Sequence, residues 1–404
     1  MRIWRILVEK KIKQQEIKFG TLSLIAALAC AFLVGGCSKD EKTNAEQSNK
    51  VVIKIGNVAP LTGPDSYLGK DNENGARLAI EDVNKQGLTI NGKTVVLELI
   101  GEDDAGDATT GTKVATKLVD NKVAAVVGHL NSGVSIPASK IYSEAGITQI
   151  TPSSTNPELT LQGFKTTYRM VGTDAQQAPV LAHFVVENLK GKTIAVVDDA
   201  TQYGKGLADE FEKTLNLLGQ KVILREATNN KASDFKAILT NIKAKKPDVI
   251  LFGGMAATGG PFAKQAQELG ITAKVIGGDG ICSPSLYDLA GEAVNNVICS
   301  TVGVPLEKLK GSEDYIKKYK ERFKVDVQIY SPMAYDAVMV IVDAMKRANS
   351  TDAKDILAAM PTTNYSGLTG QIAFDSKGDL KESFITLNQY KDKKIGTLQV
   401  MKMQ

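Results

Sequence analysis

Histidine is nearly missing from this sequence. His129 and His183 are the only two among 404 residues, and neither belongs to a spaced cluster of metal ligands. His129, at the end of a β-rich run, reads as a buried, hydrogen-bonded side chain and not as a base. No Gly-x-Ser-x-Gly nucleophile elbow occurs. Gly254 and Gly259 have phosphate-loop spacing, but Gly260 and Pro261 stand where Lys and Ser/Thr are needed. Gly204-Lys205-Gly206 lacks the third glycine of a dinucleotide fingerprint. These absences disfavour an enzyme and leave no catalytic residue, metal site or cofactor to expect. A bilayer-length apolar run is missing too: the longest, Phe19 to Val34, has 16 residues, where a span needs about 20.

What is present at the N-terminus accounts for the charge. Residues 1–18 carry Arg2, Arg5, Lys10, Lys11, Lys13 and Lys18 against Glu9 and Glu16. A basic segment, a short apolar segment and small residues at its end read as a secretory signal. The rest of the chain holds 43 basic and 43 acidic residues, so the formal +4 belongs to the export segment. No basic patch remains to argue for nucleic acid. Leu33-Val34-Gly35-Gly36-Cys37 resembles the bacterial lipoprotein signal, in which an aliphatic and two small residues precede a lipidated cysteine. The resemblance implies a signal peptide over 1–36, lipidation of Cys37, and a protein held to a membrane outside the cytoplasm, periplasmic or at the cell surface. Ordinary cleavage after Ala27-Leu28-Ala29 is the alternative. The stretch 37–50 reads as a polar tether, too poor in apolar residues for a core.

Cys282 and Cys299 lie 17 apart in the remaining chain. Export permits a disulfide between them; two separately buried thiols are the other reading.

From residue 51 onward, short β-rich runs alternate with amphipathic helices. Val51–Val58, Thr94–Ile100 and Val123–Val127 read as strands. Ala76, Ala79, Ile80 and Val83 form one helical stripe, and Val114, Leu118 and Val119 mark another. The alternation resumes after Asp174, with strands at Thr193–Val197, Val222–Arg225 and Val249–Phe252 separated by helices. Continuous apolar runs such as Val123–Val127 suit strands covered on both faces. The pattern predicts an α/β protein with two doubly wound parallel sheets. The stretch 312–360 reads as mainly helical, and strand-like runs follow at Gln371–Phe374, Phe384–Tyr390 and Leu398–Met401.

Parallel α/β sheets bind ligands where strand ends feed helix N-termini. Four loops occupy such places: 128–133, 151–155, 198–204 and 277–280. The first two are rich in hydroxyls and backbone N–H groups, which suit a carboxylate. Ser and Thr there also suit ordinary helix caps. Asp279, between glycines, suits an ammonium group.

Taken in order, Thr62-Gly63-Pro64, Gly128-His129-Leu130, Pro137-Ala138-Ser139, Thr151-Pro152, Pro157-Glu158-Leu159-Thr160, Gln202-Tyr203-Gly204 and Gly378-Asp379-Leu380-Lys381 resemble the periplasmic leucine/isoleucine/valine-binding proteins of ABC transporters. The resemblance spans nearly all of the mature chain. It implies the type I periplasmic binding protein fold, two lobes joined by a three-strand hinge. Lobe 1 would comprise 51–173 plus 304–383, and lobe 2 would comprise 174–303 plus 384–404. Ser132 and Thr155 would hold a ligand carboxylate, with Ser153 and Ser154 on the same wall. Asp279 would take the ammonium and Tyr203 would close the pocket. Leu68 and Met255 stand where those proteins have aromatics and would face the ligand side chain, so a shifted aliphatic specificity is expected. The implied partners are an amino-acid ligand, an ABC permease and, through Cys37, a membrane; the protein would be a monomer. A sensory receptor for amides or small carboxylates is the competing expectation.

Overall fold

The computed structural model of the chain describes residues 49–392 and 394–403. The expected export signal, most of the expected tether and Cys37 therefore lie outside the described residues. The apolar runs pair into two large sheets, and the helices between them cover both faces.

The first half begins with β1 (Lys50–Ala59), α1 (Ser66–Gln86), β2 (Leu88–Ile90), β3 (Lys93–Asp103) and α2 (Ala108–Asp120). It continues through β4 (Ala125–Gly128), α3 (Ser132–Ala145), β5 (Thr148–Thr151) and β6 (Thr167–Arg169). These strands form a six-stranded sheet ordered β2-β3-β1-β4-β5-β6. All neighbours are parallel except β2 and β3. That exception is a hairpin the alternation of longer runs does not reveal. Asn91 and Gly92 join the two strands with positive φ at both positions, 48° and 74°. Positive φ at both central residues makes a two-residue turn follow strand twist.

The second half contains α4 (Asp174–His183), β7 (Ile194–Asp198), α5 (Gln202–Leu217), β8 (Val222–Ala227) and α6 (Lys236–Lys245). After these come β9 (Val249–Gly253), α7 (Ala256–Glu268), β10 (Lys274–Gly277) and β11 (Val297–Val302). The chain then returns to the first half through α8 (Ser312–Phe323), α9 (Ser331–Ala348) and a small hairpin of β12 (Tyr365–Gly367) and β13 (Gly370–Ile372). It ends in β14 (Ser383–Lys391) and β15 (Lys394–Met403). The second sheet runs β15-β14-β11-β10-β9-β7-β8. Its last two strands are antiparallel additions, so neither sheet is wholly parallel.

The chain thus passes between the sheets after β6, after β11 and before β14. Strands β4, β5, β7 and β9 are buried along their whole length, which explains the apolar runs 125–127, 194–197 and 249–252; β5 is buried although Thr148, Gln149 and Thr151 are polar. Cys282 and Cys299, both buried, are joined by a disulfide that ties the segment after β10 to β11. No helix among the described residues is long and apolar enough to cross a membrane.

Candidate functional site

The carboxyl ends of the two sheets bring the loops after β4, β5, β7, β9 and β10 together. Gly128 makes the first turn. Its φ of +139° suits glycine, and a Cβ there would stand 2.4 Å from the Val58 carbonyl oxygen. His129 follows and is fully buried. Its Nδ1 lies 2.8 Å from Asp104 and its Nε2 3.1 Å from the Tyr142 hydroxyl. Its carbonyl accepts hydrogen bonds from Thr151 and Ser135. His129 therefore supports the loop and does not reach the cleft.

Ser132, Ser153, Tyr203, Met255 and Asp279 line one small cavity, in the company of Leu130, Asn131 and Tyr330. At about 20 Å³ it has room for about one water molecule. Larger cavities lie at the passage between sheets (about 400 Å³) and on an outer groove beside α4 (about 410 Å³). The small one is singled out by convergent polar chemistry. On one side, α3 starts at Ser132, so its first N–H groups have no intrahelical partner and carry the positive end of the helix dipole. The Ser132 and Ser153 hydroxyls sit beside them.

Opposite stands Asp279, wholly buried. Its Oδ1 accepts from Gln177 Nε2 (2.9 Å) and the Tyr203 hydroxyl (3.0 Å), and its Oδ2 from the Tyr330 hydroxyl (2.5 Å). A carboxylate has about four acceptor positions, so three protein donors leave one open. Burial raises the Asp279 carboxyl above its ordinary range, while Tyr330, Gln177 and Tyr203 oppose the shift. Asp174, at the start of α4, is pushed up to about 8, first by burial and then by the nearby charge of Asp279.

The structure does not bring every expected residue to this cavity. The Ser154 hydroxyl bonds Ser135 (2.6 Å) and the Leu130 carbonyl (2.9 Å), so it braces one loop against the other. Thr155 is buried beside Asp174. Leu68 is fully buried in the core cluster behind α1 and does not face the cleft. One step along a helix rotates a side chain by about 100°, and Tyr67 takes the outward direction: its hydroxyl lies 3.3 Å from Ser283 Oγ on the other half.

Three important residues escaped the sequence reading. Tyr330 and Gln177 hold Asp279. Arg169, fully buried, bonds Asp379 (2.7 Å), the Ser154 and Asn156 carbonyls (2.6 and 3.1 Å) and Thr160 (3.0 Å), which fixes loop 153–156. Isolated tyrosine, glutamine and arginine residues carry no local pattern. Gly378-Asp379, one of the segments that carry the resemblance, supplies the Arg169 partner, but nothing beside Asp379 marks it as one. Among the described residues, no group of three His, Cys, Asp or Glu is placed to hold a metal.

The halves also touch directly. Asn156 donates to the Gln202 carbonyl at 2.5 Å, and the Tyr330–Asp279 and Tyr67–Ser283 contacts cross the same gap. The cleft is shut.

Known proteins share this architecture. A family profile described as periplasmic binding protein matches residues 52–393. The chain is 37% identical over 330 residues to the Leu/Ile/Val-binding protein homolog 1 of Brucella abortus, covering 81% of this chain and 88% of that one. A leucine-binding protein from Thermotoga maritima superposes with a TM-score of 0.80 at 29% identity, covering 86% of this chain and 98% of that one. The branched-chain amino acid substrate-binding protein of Streptococcus pneumoniae, solved with isoleucine, superposes at 0.79 and 26% identity, with 87% and 100% covered. Its sequence, its type I fold and these likenesses place the chain in the family of periplasmic leucine/isoleucine/valine-binding proteins.

Proposed function

We propose that this chain is the extracytoplasmic receptor of an ABC transporter, binding a branched-chain or other aliphatic amino acid between its lobes and delivering it to a membrane permease. One observation carries the reading: a helix N-terminus with hydroxyls faces a buried carboxylate across a single cavity. That is the electrostatic complement of an α-amino acid. Ser132 and Ser153, with the N–H groups of their loops, would bind the carboxylate. Asp279 would bind the ammonium, and Met255 and Tyr330 would meet the side chain.

A cavity of about 20 Å³ admits no amino acid, so entry requires the lobes to part. The lobes, 51–173 plus 304–383 and 174–303 plus 384–404, would rotate about the three passages. Ligand on lobe 1 gains contacts with lobe 2 only on closure, so it shifts the population toward a closed form whose lobes stand just far enough apart to hold it. A leucine-sized side chain supplies about 1.5–3 kcal/mol. Each charge-assisted hydrogen bond adds roughly 1.5–3 kcal/mol. Met255 replaces a fixed aromatic wall with an adaptable one, which favours a range of aliphatic side chains.

A thermal-shift panel of amino acids, amides and small carboxylates tests this reading. At a hundredfold excess over Kd a ligand stabilises by about 2.7 kcal/mol, so leucine, isoleucine or valine should raise the midpoint by several degrees. A response to carboxylates or amides alone would refute it. Cys37 would carry the lipid anchor; Cys37→Ser should abolish metabolic labelling with palmitate, and retained label would defeat that assignment.

A further inference from the structure

Asp71 lies on α1, outside the cavity, and is 2% exposed. Four donors converge on it. Oδ1 accepts from the Tyr319 hydroxyl (2.9 Å) and the Gln328 N–H (2.9 Å). Oδ2 accepts from the N–H groups of Tyr330 (2.9 Å) and Ser331 (2.9 Å). Asn74 donates to the Tyr319 oxygen at 3.2 Å, which leaves the Tyr319 proton for Asp71.

Tyr330 and Ser331 are the N-cap and first residue of α9, and the Tyr330 side chain makes no cap bond of its own. The cap therefore comes in trans, from α1. Helix α1 is pressed close enough to allow it: a Cβ on Gly75 would stand 2.1 Å from the Ser331 carbonyl oxygen. With its backbone held this way, Tyr330 extends its hydroxyl to Asp279 Oδ2 on the other half.

We propose that Asp71 is the positioning residue for cleft closure: by capping α9 it holds Tyr330 where its hydroxyl reaches Asp279, and so sets how firmly the lobes shut. The inference rests on reading the cleft as the amino-acid site. Asp71 touches nothing in the cavity and acts through Tyr330. A carboxylate suits this place because it only accepts. An asparagine would turn an N–H₂ group toward N–H donors, and the cap would loosen.

The test uses the full chain as Asp71→Asn, Tyr330→Phe and the double variant. Affinity for L-leucine is measured by calorimetry, and the radius of gyration without ligand by small-angle scattering. Each single variant should weaken L-leucine binding by about tenfold, the scale of one bond to a charged group, and should expand the unliganded protein. The double variant should match the weaker single variant within about threefold, because both changes remove one linkage. Losses that multiply in the double variant would overturn the proposal. So would an Asp71→Asn protein that melts earlier yet binds with unchanged affinity, since that is the mark of a merely structural role.

If Asp71→Asn does not fold, Tyr319→Phe removes one of the four donors. Its affinity loss should vanish in the Tyr330→Phe background, and persistence there would overturn the proposal. If L-leucine fails to bind the unaltered protein, the amino-acid reading is what fails. Scattering still decides: equal expansion in both single variants and the double supports the linkage, and unchanged profiles refute it.

Discussion

Replacing Asp279 by asparagine removes the one charge lining the cavity while keeping its shape. The three protein donors on Asp279 are two hydroxyls and an amide. Hydroxyls can rotate to accept as well as donate, so Tyr203 and Tyr330 adapt to the new N–H₂ group. The lost interaction is the charge-assisted bond to a ligand ammonium, worth about 1.5–3 kcal/mol. Affinity for leucine should therefore fall by roughly 10- to 150-fold, measured by calorimetry. A control isolates the cause. 4-Methylpentanoate, which is leucine without its amine, should bind the unaltered protein and Asp279→Asn with the same affinity. If leucine binding changes by less than about threefold, or if both ligands lose equally, Asp279 does not hold the ammonium.

Two further expectations concern pH and the disulfide. Asp65, just before α1, is pushed up to about 6, first by burial and then by Asp199 of the other half. Opening the cleft relaxes both causes, so closure takes up a proton between the ordinary carboxylate pKa and about 6. Affinity should fall as pH rises through that window and level off above it; Asp65→Asn should remove the slope, and an unchanged slope would refute this account. Replacing Cys282 and Cys299 by alanine opens a loop closed across a separation of 17, which costs about 3 kcal/mol in the chain-entropy reckoning. Denaturant titration should show it, and a loss under about 1 kcal/mol would mean that buried packing alone holds the segment.

The strands that the sequence announced most clearly are those with no solvent face. Val249–Gly253 and the first four residues of Ile194–Asp198 carry no polar side chain, because helices cover both sides of these strands. Periodicity also found α1 and α2, whose stripes fit one buried face, and missed α3, α4 and α7, each of which carries an internal proline. Strands at the sheet margins were harder to see. Leu88–Ile90 is only three residues long, and β15 alternates weakly because much of it meets solvent. The site was legible where chemistry repeats locally, as in the hydroxyl-rich loops at 128–133 and 151–155. It was illegible where one side chain arrives from far along the chain. Tyr330 is 51 residues from Asp279 and Gln177 is 102, and nothing beside either residue marks it as a partner. The exchange of Tyr67 for Leu68 has another origin: helical phase decides which of two adjacent residues looks outward, and the resemblance aligns positions without fixing that phase.

The placement of β14 and β15 bears on biogenesis. Until Ser383–Lys391 emerges, β11 has no antiparallel neighbour and presents an unsatisfied row of backbone donors and acceptors. The second sheet therefore cannot be completed residue by residue behind the ribosome or translocase; it waits for β14 and β15, which are made only after the whole return passage. Clipping that tail, or stalling before it, would leave a sticky margin where a sealed one belongs, and proteases or a neighbouring nascent chain would be the first to find it.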